Sequence, residues 1–164
     1  MSLEYIILLI AWSVTTILLI TLTPKNKARE AWVIFLFKKI MTWSIGLIVV
    51  EGRMIEYPIR LFSYANRASF TFEFFVYPAF CVIFNLHFPN KKSTFIKSLY
   101  YGAFVFGLVI IEVILEINTQ LINYIKWNWI LSSITLYLTF LFSRKFYLWF
   151  FKINNKNDIE NYTS

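Results

Sequence analysis

The 164-residue sequence is short of the residues on which most enzyme chemistry depends. Its single cysteine, Cys81, rules out an intrachain disulfide and leaves the redox compartment unconstrained. Its single aspartate, Asp158, lies near the C-terminus, so chemistry that needs paired aspartates has no place here, whether intramembrane aspartyl proteolysis or phosphoalcohol transfer. A single histidine, His87, argues against a Ser-His site of the rhomboid kind. No H-E-x-x-H, G-x-S-x-G or glycine-rich phosphate loop occurs. No catalytic residue, metal ligand or cofactor is assigned. Charged residues make up only 15% of the chain. The sequon Asn161-Tyr162-Thr163 falls in the expected cytoplasmic tail and reads as accidental.

What the chain does have is apolar surface. Its apolar fraction is 59%, with 18 Phe, 10 Tyr and 6 Trp. Soluble domains hold about 45–50%. A soluble domain of this size faces water over much of its exterior and cannot hide so much apolar surface. A bilayer removes that limit. The net charge of +7 then reads as basic loops on the cytoplasmic side of a membrane. A nucleic-acid surface is not expected, because no basic stretch is arranged as a reading helix.

Five apolar segments predict an all-α, polytopic transmembrane helical bundle in a single domain, 1–153. Tyr5–Leu22 is uncharged, and at ~1.5 Å per residue it nearly crosses a ~30 Å hydrocarbon core. No basic residue precedes it and no A-x-A pattern follows, so it reads as a retained span rather than a signal peptide. Thr23-Pro24 stops it. The second segment is interrupted by Lys38 and Lys39. Either both lysines snorkel to the cytoplasmic interface, or Ala28–Phe37 lies in the interface and the span runs from about Lys39 to Tyr57. The compromise span is 33–53. Three further spans follow at 70–88, 95–116 and 127–151. Pro78 is expected to kink the third, and Trp127 and Trp129 to anchor the fifth. Residues 154–164 read as a short polar cytoplasmic tail.

Twelve of the 16 Lys and Arg fall in the first, third and last hydrophilic segments when Lys38 and Lys39 are counted there. Arg53, Arg60, Arg67 and Lys126 fall in the second and fourth. The positive-inside rule therefore predicts the N-terminus outside and the C-terminus inside.

That topology gathers Glu51, Glu73, Glu112 and Glu116 in the outer third of the membrane, each among apolar neighbours. Glu112 and Glu116 are one turn apart and share a face. An ionised carboxylate at a bilayer centre costs ~2.5–3.5 kcal/mol on the insertion scale. These side chains should face other helices, pair with cations or carry a proton. Two readings compete. Arg53, Arg60 and Arg67 could pair with the glutamates in a network that fixes helix packing. Alternatively the cluster forms a cavity for a cation, a proton or a polar head group. His87 follows Glu73 by fourteen residues, ~21 Å along a helix, too far for a shared site. Ser132, Thr139 and the other membrane hydroxyls read as interhelical or backbone hydrogen-bonding groups, and Tyr77 as a packing residue.

Several stretches carry a family resemblance: WSIGLIVVEGRMIEYP (Trp43–Pro58), FTFEFFVYP (Phe70–Pro78), IEVILE (Ile111–Glu116), WNW (Trp127–Trp129) and SRKFYLWFFK (Ser143–Lys152). Together they resemble a family of small uncharacterised multi-pass membrane proteins of spore-forming, low-GC Gram-positive bacteria. The resemblance implies a bacterial cytoplasmic membrane, with a spore membrane as the alternative. It supplies no catalytic residues. The expected role is a non-enzymatic accessory or interaction component, with the lipid bilayer, a second copy or another membrane protein as partner. A small transporter or permease subunit is the first alternative. A lipid-modifying enzyme using Glu73 and Glu112 is the second.

Overall fold

The computed structural model describes residues 2–153. The predicted tail, 154–164, lies outside the described residues. Of the described residues, 73% are helical. Among the described residues there are five α-helices: α1 (Leu3–Leu22), α2 (Ala28–Glu51), α3 (Tyr77–Leu86), α4 (Thr94–Asn118) and α5 (Trp129–Phe150). Three helices are long and apolar enough to cross a membrane: α1, α2 with the short 3-10 turn before it, and α4. Their outer faces are apolar, with Ile17, Ile20, Ile48 and Ile117 all exposed. Such a surface is unsuited to water on this scale and suited to lipid.

α2 runs unbroken through both lysines from Ala28 to Glu51, a longer helix than the expected span of 33–53. Its inner face repeats every four residues: Glu30, Ile34, Lys38, Thr42 and Gly46 are all buried. Lys38 therefore does not snorkel. It is 0% exposed, about 15 Å along the helix. Its ammonium donates to Thr139 Oγ1 at 2.5 Å and lies 4.3 Å from the centre of the Phe140 ring. Lys39 turns to another face and lies over the Phe74 ring at 3.9 Å.

Pro78 does not simply kink the third segment. The chain enters α3 through a π-helical stretch, Phe70–Val76, which opens on the Ser69 side chain as cap. The Tyr77 N–H bonds the carbonyl of Phe72, five residues back, and not that of Glu73. The next donor in that series would be residue 78, which is proline and has none. The Glu73 carbonyl is thus left without a helical partner. The Thr42 hydroxyl donates to it at 2.6 Å and ties α2 to the π segment.

The two connections at the far end of the bundle meet in a short antiparallel ribbon. β1 (Ile55–Glu56) pairs with β2 (Asn123–Tyr124), with Ile55 opposite Tyr124. This pairing sets the α2–α3 and α4–α5 connections at one end, above the mouth of the helical core.

Candidate functional site

The ribbon, α2, the π segment, α4 and α5 line a partly open cavity of about 50 Å³. Glu73 enters it from the π segment and Glu112 from α4. Gly46 of α2 makes room for the Glu73 carboxyl. A Cβ there would lie 3.0 Å from Glu73 Cγ and 3.1 Å from Cδ.

Neutral groups meet both carboxyls. Tyr57, just past β1, donates its hydroxyl to Glu73 Oε1 at 3.2 Å. Tyr77 donates to Glu112 Oε2 at 3.3 Å. Tyr124, in β2, and Ser132, in the first turn of α5, each donate to Glu112 Oε1 at 2.8 Å. Trp127 Nε1 in turn donates to Ser132 Oγ at 2.7 Å, which orients that hydroxyl toward Glu112. Burial first, and the carboxyl groups beneath them second, push the Tyr57 and Tyr124 phenols upward. Both remain hydroxyl donors above the site. Hydroxyls can donate to a carboxylate or accept from a carboxylic acid, so this shell accommodates either state of each glutamate.

The structure brings together two of the four predicted glutamates. Glu51 is exposed at the end of α2, and Glu116 lies one turn beyond Glu112; neither lines the cavity. The predicted ion pairs with arginine do not form. Arg60 folds onto its own loop, where its guanidinium fork matches three carbonyls: Tyr57 at 2.7 Å, Asn66 at 2.8 Å and Ser63 at 3.2 Å. Arg53 and Arg67 are exposed. Glu73 and Glu112 instead take tyrosine and serine hydroxyls, which avoids bringing a second large charge out of water. Lys38 lies just beyond the cavity lining, bonded to the lining residue Thr139.

Sequence reasoning missed Lys38, Tyr57, Tyr124 and Gly46 as parts of one site. The repeat of four linking Glu30, Lys38, Thr42 and Gly46 was the available signal. Among the described residues no group of three or more His, Cys, Asp or Glu is arranged to hold a metal ion. A larger cavity, about 340 Å³, lies between α1 and α2, but its lining is almost wholly apolar.

No family model, curated protein or solved structure matches the chain.

Proposed function

We propose that this chain is a five-span protein of a bacterial cytoplasmic membrane, N-terminus outside and C-terminus inside, that holds an exchangeable proton at Glu73 and Glu112. It works as a non-enzymatic membrane component, alone, as an oligomer or with a membrane partner. The observation that carries this reading is the convergence of two carboxyls in one cavity with hydroxyl partners and no arginine. A volume near 50 Å³ suits one or two waters. It is small for a lipid head group, which weighs against the lipid-enzyme reading. The lysine beneath it disfavours a second fixed cation and favours a proton, which neutralises a carboxyl without adding net positive charge.

Infrared difference spectroscopy on the purified full-length protein in lipid nanodiscs tests the reading. A carboxylic-acid C=O band should appear and vanish reversibly with pH. Glu73→Gln or Glu112→Gln should remove or shift it while helix content stays unchanged. If neither variant alters any titrating carboxyl band, the cavity is not a proton site.

A further inference from the structure

Polar side chains do not stop at the cavity floor. On α2 the buried face passes from Thr42 to Lys38. On α3, Cys81 and Asn85 follow Tyr77 at intervals of four. On α5, Ser143 and Tyr147 follow Thr139 at the same interval. An interval of four keeps each set on one helix face, so three helices present polar groups to one shared line.

Groups on that line touch in pairs, beside the buried Arg144 guanidinium, which donates to the Asn85 carbonyl at 3.1 Å. Lys38 meets Thr139 at 2.5 Å. The Cys81 thiol donates to Ser143 Oγ at 3.1 Å, and Asn85 Nδ2 approaches the same oxygen at 3.4 Å. At the opposite end from the cavity the Tyr147 hydroxyl donates to Glu30. From Gly46 to Glu30 is sixteen residues of α2, about 24 Å of a ~30 Å hydrocarbon core. Lys38, Cys81 and Ser143 are 0% exposed and Asn85 is 2% exposed.

One atom on this line lacks a partner. Asn85 Oδ1 is buried and accepts no hydrogen bond, while its amide nitrogen is occupied by Cys81 and Ser143. Buried acceptors in native proteins are satisfied, by water where protein donors are missing. A water donating to Asn85 Oδ1 would sit between the Lys38 and Tyr147 regions.

We infer that this seam is a proton pathway through the bundle, with Lys38 as its central relay. The inference rests on the reading of the cavity as a proton site. A proton accepted at Glu73 or Glu112 passes toward Lys38. Lys38 releases its own proton toward Ser143 and the water at Asn85 as it takes the new one. A proton leaves at the far end, where Tyr147 meets Glu30. Charge and atoms balance, and nothing is oxidised or reduced. The ammonium of Lys38 also repels metal cations, so the ion that moves is the one Lys38 itself can exchange.

The test uses the full-length protein in liposomes with an internal pH-sensitive dye and a potassium gradient released by valinomycin. Wild-type vesicles should change internal pH faster than protein-free vesicles. Lys38→Met and Asn85→Leu should each slow that change about tenfold, equivalent to about 1.4 kcal/mol of barrier. Lys25→Met, an exposed lysine off the seam, should match wild type. Helix content and monodispersity establish that each variant is folded. A wild-type rate equal to that of empty vesicles, or unchanged rates in both seam variants, overturns the inference. If the carboxyl infrared band titrates but no flux exists, the seam fails and the cavity reading stands. If no band titrates, both fail, because the seam then has no outer acceptor.

Discussion

Lys38 is the residue whose placement departs furthest from ordinary expectation. A buried ammonium loses its hydration, and here it gains one hydroxyl and one ring face. Buried charges are often less stabilising than apolar side chains of the same shape. Methionine matches the length of the lysine stem. The Thr139 hydroxyl has its own acceptor in the Leu136 carbonyl, so it is not orphaned by the change. Lys38→Met should therefore raise the unfolding free energy, by about 1–4 kcal/mol, seen as a higher melting temperature in detergent. A lower melting temperature would show that the ammonium stabilises the fold. Glu73 and Glu112 were legible in the sequence, because a carboxyl inside an apolar run must face something other than lipid. Lys38 was noticed and misplaced. Hydropathy reports that a charge lies in a span, but the facing depends on the whole stripe to which it belongs. The arginine pairing was misread for a related reason. Proximity along the chain does not show that a guanidinium fork will find three carbonyls on its own loop first.

Among the elements, the π segment is the least regular and the most consequential. It sets the Glu73 carboxyl in the cavity and leaves the Glu73 carbonyl to Thr42. Valine at position 42 keeps the shape and removes the hydroxyl. Thr42→Val should cost about 1–3 kcal/mol, the penalty for an unsatisfied buried carbonyl. Pro78→Ala restores an N–H five residues after Glu73. In that background Thr42→Val should cost less, with a coupling of about 0.5–3 kcal/mol in a double-mutant cycle followed by denaturant unfolding. Additive effects would show that the proline does not create the demand that Thr42 meets. The sequence indicated that Pro78 disturbs its helix. It did not indicate a π segment, because the same proline fits a kink or a wider turn. The β1–β2 ribbon was also invisible: strands of two residues carry no alternation, and their pairing joins segments nearly seventy residues apart.

For the whole molecule, apolar composition and charge asymmetry already pointed to a helical membrane bundle. The three long apolar helices agree with that. The proposed orientation makes a direct prediction, helped by the burial of the one natural cysteine. Tyr64→Cys, at an exposed position of the α2–α3 connection, should react with a membrane-impermeant maleimide in intact cells. Asn26→Cys, exposed between α1 and α2, should react only after the membrane is opened. The opposite pattern would invert the topology.

The contact between Lys38 and Thr139 also has a history within each molecule. The two residues are 101 positions apart. At a synthesis rate of ~5–20 residues per second, Thr139 leaves the ribosome about 5–20 s after Lys38. During that interval α2 carries its lysine without the hydroxyl that will receive it. The second helix must therefore wait in a wet or protein-lined place until the last one arrives, and the order of biosynthesis makes α5 the element that completes the interior.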